Sequence, residues 1–168
     1  MSIAESLLPE FDHEMATTRT LLERVPDGEG DWKPHQKSMT WGRLSNHIAT
    51  LPAYADATLK QAELDLNPTD GPKYQVPEFE SAQARLAAFD SAVKSAREAI
   101  AATADSDMRV MWSLKNGGET VMSLPRVAVL RSFMMNHLIH HRGQLSVYLR
   151  LLDVPLPSVY GPTADTNG

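Results

Sequence analysis

NHLIHHRGQL, residues 136–145, sets three histidines within five positions of a stretch otherwise patterned as apolar helix. With His137 at zero and 100° per residue, Leu130, Met134, His141, Tyr148 and Leu152 fall within about 60° of it. His137 and His141 therefore lie one turn apart on the apolar face of one helix. His140 falls on the other side of His137, at the edge of the stripe. The helix is expected to start near Pro125, where a proline suits the first turn, and to run to about Asp153, before Pro155 and Pro157.

Working outward, three more helices are expected. Ile3, Leu7, Phe11, Met15, Thr18, Leu22 and Val25 form one stripe, stopped by Pro26-Asp27-Gly28. A second helix is expected over about Thr40 to Leu64, capped by Ser38 or Thr40 and kinked at Pro52. A third, about Phe79 to Ala102, carries Phe79, Ala82, Leu86, Phe89, Val93, Ala96 and Ile100 at the spacing of a bundle seam. Between it and the last helix, two β-prone runs flank Asn116-Gly117-Gly118 and read as a hairpin. The expectation is all-α: a four-helix bundle with a small β-hairpin before the last long helix, one domain over residues 1–168.

Composition narrows the function. The chain has 168 residues, a formal charge of -5 and no cysteine. Disulfides, thiolate metal sites and cysteine nucleophiles are excluded. No Lys/Arg cluster offers a face to phosphates, so no nucleic-acid partner is expected. No apolar run is long enough to span a bilayer, and the acidic N-terminus lacks the basic start of a secretory signal. A cytoplasmic location without membrane contact is the expectation.

The second helix repeats the histidine theme. Leu44, Ile48 and Leu51 define its apolar face, with His47 among them. A His-x-x-x-His pair offers two nitrogens to one ion, and a third histidine from a neighbouring helix completes a facial set with open positions. The competing reading is three histidines satisfied by Asn46, Gln144, tyrosines or backbone carbonyls. Gln144, one turn from His141, either orients a ligand or is a partly exposed polar residue. Asn46 points about 100° from His47, toward backbone or a neighbouring helix. His140 reads first as an edge-facing hydrogen-bond donor and second as an alternative ligand. Trp32 and Trp41 read either as walls of a pocket or as core. His13 and His35 are ordinary by spacing, His13 with a place at a pocket edge. Arg142 and Arg150 read as surface or tail-binding charges, with Arg142 a partner for Asp165. Gly143, costly inside a helix, suggests close packing by the YGPTAD tail.

NHLIHHRGQLSVYLRLLDVPLPSVYGPTAD, with WKPHQKSMTWGRLSNHIATLP upstream, resembles the DinB family of small bacterial bundle proteins over essentially the whole chain. The resemblance implies a divalent metal held by three histidines, matching His47, His137 and His141 here. It also implies dimers, and a broader superfamily of transferases and isomerases that use low-molecular-weight thiols such as bacillithiol and mycothiol. Nitrogen-only ligation suits nickel or zinc. The leading expectation is a metal-dependent enzyme that activates water or a thiol cosubstrate, as a thiol-dependent S-transferase or a metal-dependent hydrolase. The rival is a non-catalytic metal-binding stress-response protein. The seams of the first and third helices are expected in part to face the second copy of a homodimer.

Overall fold

The computed structural model describes residues 1–28 and 30–166. Helix α1, Ile3–Leu22, begins at Ser2, whose hydroxyl accepts from the Glu5 N–H while the Glu5 carboxylate accepts from the Ser2 N–H. That reciprocal cap satisfies two of the N–H groups a helix start leaves unpaired. Helix α2 spans Trp41–Thr50 from a Thr40 cap. At Pro52 the chain tightens into one 3₁₀ turn, Leu51–Ala53, and resumes as α3, Tyr54–Lys60. The expected second helix is thus broken in two and ends short of Leu64, which lies in strand β1, Glu63–Asp65. Helix α4, Ala82–Ala102, is capped by Ser81, and the short helix α5, Asp105–Met108, was not anticipated.

Strands β2, Met111–Asn116, and β3, Glu119–Pro125, form the expected hairpin. Gly117 and Gly118 both take positive φ, 65° and 83°, as a tight two-residue turn requires. The sheet has a third member: β1 runs parallel to β2, giving the order β1-β2-β3. Asp65 ties β1 to the turn, its carboxylate accepting from the N–H groups of Gly117 and Gly118 at 2.9 and 2.7 Å. Trp112 is fully buried beneath the sheet and donates its indole N–H to the Ala57 carbonyl.

The last helical stretch begins as α6, Arg126–Ala128, widens into seven π-helical residues, Val129–Met135, and continues as α7, Asn136–Leu151. A π segment shifts the rotational register of all that follows, and such segments are frequent at functional sites. Here it ends two residues before His137. The fold is mostly helical with a small three-stranded sheet. One main core gathers Phe11, Leu44, Ile48, Phe89, Ile100, Leu138 and Leu145. Most of the α1 stripe is buried against α4 and the rest of the chain, whereas Phe79, Ala82, Leu86 and Val93 of the third stripe stay partly exposed.

Candidate metal centre

Helix α2 packs on α7, and that pairing brings the histidines together. His47 faces α7 because Leu44, Ile48 and Leu51 hold its helix against the core, all with no exposure. His137 and His141 face back from successive turns of α7. The His47 and His137 Nε2 atoms are 3.3 Å apart. The His47 ring lies 4.8 Å from that of His141, and the two α7 rings are 4.6 Å apart, centroid to centroid. One ring nitrogen from each histidine lies within 4.8 Å of the others, the one such cluster among the described residues.

The electrostatics favour neutral, lone-pair-bearing imidazoles. Burial pushes the His47 pKa down to about 4, assisted by the nearby charges of His141, His137 and Arg43. Burial likewise pushes His137 to about 4, with His141 and His140 adding to it. The Phe133 carbonyl opposes that shift without being aligned to accept a hydrogen bond from Nδ1. His141 is lowered too, by burial first, against the opposing hydrogen bond to Gln144. Its Nδ1 lies 2.7 Å from the Gln144 side-chain oxygen. An amide oxygen can only accept, so Nδ1 carries the proton and the His141 Nε2 lone pair faces the cluster.

The donor set fits a divalent ion. A tetrahedral ion with nitrogen ligands at about 2.0–2.1 Å places neighbouring nitrogens about 3.3–3.4 Å apart, close to the His47–His137 separation. Gln144 satisfies one nitrogen of His141, and the Nε2 atoms of His47 and His137 are close enough to share one hydrogen bond. Asn46 is taken up by Arg85, whose Nε donates to it at 3.0 Å. The Nδ1 atoms of His47 and His137 are buried without a hydrogen-bond partner among the described residues.

His140 is exposed, its ring 5.0 Å from that of His141. Trp32 is partly exposed and meets the Tyr148 ring edge-on at 5.8 Å. Trp41 is core that also lines a cavity at the start of α2. His13 borders a groove under Tyr160 and Pro162, and His35 Nδ1 accepts from the Lys37 N–H in its own loop.

Two expectations at the tail are corrected. Arg142 is 2 % exposed and pairs not with Asp165 but with Glu14 of α1, at 2.7 Å. It also donates to the Glu14 carbonyl, the Thr18 hydroxyl and the Tyr160 hydroxyl, which in turn donates to the Glu14 carboxylate. Asp165 instead pairs with Arg150. Gly143 is exposed, and a Cβ there would meet nothing within 4 Å. The tail docks through Arg142, which points inward, not against the glycine beside it, which points out.

Sequence reasoning missed Arg85. It sits three residues after Ala82 and four before Phe89, on the seam of α4, and is buried. A charged residue on an otherwise apolar stripe was the available signal.

The DinB family model matches residues 1–167. Two crystal structures share the fold. A DinB-like protein from Bacillus cereus ATCC 10987 superposes with a TM-score of 0.70 at 22% identity, covering 93% of this chain and 97% of its own. A DinB-like protein from Bacillus subtilis (YjoA) gives 0.66 at 16% identity, covering 94% and 99%. Among curated proteins, none matches this sequence.

Proposed function

The chain belongs to the DinB family, and on that footing we propose that it is a metal-dependent enzyme whose ion is held by His47, His137 and His141. The observation that carries the proposal is the convergence of three imidazole nitrogens, held neutral, from two packed helices. Zinc or nickel suits the all-nitrogen set. When bound, such an ion supplies Lewis acidity that brings water or a thiol toward deprotonation near neutral pH.

The chain's own residues do the rest. Gln144 fixes the ring orientation and tautomer of His141. Phe133, whose ring is 5.7 Å from that of His137, walls one side of the site against water. His140, exposed beside His141, adds a polar group at the edge of the site. With no cysteine in the chain, the thiol of an S-transfer reaction arrives as a cosubstrate. We favour that reaction over hydrolysis on family analogy. The packing of α1, the α2–α3 pair, α4 and the stretch ending in α7 supports reading the helices as a four-helix bundle. No described helix is long and apolar enough to cross a membrane.

The test of the reaction is consumption of bacillithiol or mycothiol in the presence of an alkylating electrophile. Turnover that needs zinc or nickel and vanishes in His141→Ala supports it. Metal-loaded protein that leaves the rate at background rejects S-transfer to those thiols. Homodimerisation, in part through the seams of α1 and α4, belongs to the same reading. A light-scattering mass of one 18.6 kDa chain at micromolar concentration would overturn it.

A further inference from the structure

A cavity of about 610 Å³ opens beside the first turn of α2, and Arg85 reaches into it from α4. Arg85 is only 5 % exposed. Asn46 accepts from its Nε, whereas Nη1 is buried with no hydrogen-bond partner among the described residues. No carboxylate among them lies within ion-pair distance of its guanidinium; Asp27 is the charge that opposes the lowering of its pKa by burial. A cation withdrawn from water without a counter-charge is costly to keep. Such a cost is offset when a ligand brings the missing charge.

The backbone donors of the first turn of α2 are spent. At the start of α2, the Trp41 and Gly42 N–H groups donate to the Trp32 and Gly30 carbonyls. Those of Arg43 and Leu44 go to the Thr40 hydroxyl and carbonyl. What faces an incoming anion is therefore the free end of Arg85, with the exposed side chain of Arg43 also on the lining. Exposed Asp31 and Glu78 line the cavity as well, so the formal charges of the four groups cancel. With Asp27 also acting on Arg85, the cavity carries no surplus of positive charge to hold a dianion. Trp41 and Phe79 supply apolar surface for the rest of the molecule.

We propose that this cavity binds a small molecule with an apolar body and one carboxylate, the carboxylate paired with Arg85 and assisted by Arg43. The site stands on its own residues, but its link to chemistry rests on the function proposed above. Arg43 lies four residues before His47, one turn away on the same helix face. A run of ring contacts also leads from the cavity to the metal centre: Tyr74 to Tyr54 at 5.8 Å, Tyr54 to Phe133 at 5.2 Å, Phe133 to His137 at 5.7 Å. The carboxylate would be the handle that anchors a substrate about one turn of α2 from His47.

The experiment is calorimetric titration of the full-length protein with benzoate, its neutral analogue benzamide, and inorganic phosphate. Saturable benzoate binding is expected, tighter than phosphate, with none for benzamide. Arg85→Met should weaken benzoate about tenfold or more, since a charge-assisted pair is lost, while holding or raising the melting temperature. Arg43→Gln, on an exposed side chain, should weaken it several-fold and serves if Arg85→Met does not fold. His141→Ala should leave it unchanged, which separates this site from the metal reading. The proposal is overturned by absence of saturable binding, by phosphate binding more tightly, or by wild-type affinity in either arginine variant. Loss in His141→Ala with retention in Arg85→Met would likewise overturn it, by moving the carboxylate to the histidines.

Discussion

The His141 Nδ1 and the Gln144 side-chain oxygen lie 2.7 Å apart on one face of α7, three residues from each other. This contact leaves the His141 Nε2 lone pair facing the cluster, so it prepares a ligand before any ion arrives. Gln144→Ala should therefore weaken zinc affinity by about 10- to 100-fold, the range for removing an outer partner of a ligating histidine. Gln144→Glu, which keeps an acceptor, should retain most of it. Competition with a chromophoric chelator reads both. Equal affinity in wild type and Gln144→Ala would show that the contact orients nothing.

The pKa shifts give a pH dependence with a definite sign. His47 and His137 have folded-state values near 4, chiefly through burial, against 6.5 when unfolded. Between those values the unfolded chain binds more protons than the folded one. The metal-free protein should thus be stable above about pH 6.5 on this account, and lose stability as pH falls from there toward 4. Chemical denaturation across that window measures it. In His47→Gln the slope should be shallower, and an unchanged slope would assign the acid sensitivity elsewhere.

Arg142 and Glu14 are both nearly sealed from water, with side-chain exposures of 2 % and 7 %. Removing one partner leaves an uncompensated buried charge, so Glu14→Ala should cost about 3–5 kcal/mol. Tyr160→Phe removes only the hydroxyl bridging them and should cost about 0.5–1.5 kcal/mol, the net value of one hydrogen bond. Urea midpoints compare the two. A Glu14→Ala protein as stable as wild type would mean that Arg142 finds water or another partner.

At the start of α2, two glycines touch through their backbones. The Gly42 N–H donates to the Gly30 carbonyl at 3.0 Å, and a Cβ on Gly42 would sit 2.9 Å from the Gly30 Cα. Nothing flexible lies there to yield. Gly42→Ala should push the preceding loop off the helix, lower stability by about 1–3 kcal/mol, and alter the emission of Trp32 and Trp41. A spectrum and melting temperature identical to wild type would mean the loop moves without cost.

These residues also show what the sequence made legible. Periodicity placed Ile3–Leu22 and Ala82–Ala102 to within about three residues at each end, because long apolar stripes are dictated by burial. The hairpin followed from Gly117-Gly118, since few pairs tolerate two successive positive φ angles. The break at Pro52 was legible as a kink, but its consequence was not. Three residues, Glu63–Asp65, join the hairpin as a parallel strand through a non-local pairing that no local pattern announces. His47, His137 and His141 were identifiable because each is polar on an apolar face. Arg85 carries the same signal, a buried charge on the apolar stripe of α4. The Arg142–Glu14 pair spans 128 positions and joins elements whose relative rotation depends on the π segment, so spacing alone favoured the nearer Asp165.

The most direct test of the central claim is metal content by mass spectrometry on protein purified without a histidine tag, with His47→Ala and His141→Ala prepared alongside. The account predicts about one zinc or nickel ion per chain, lost in both variants, with the fold of the metal-free protein retained. No metal in the wild type, even after reconstitution with zinc and nickel salts, would contradict it and leave three histidines with no ion to share.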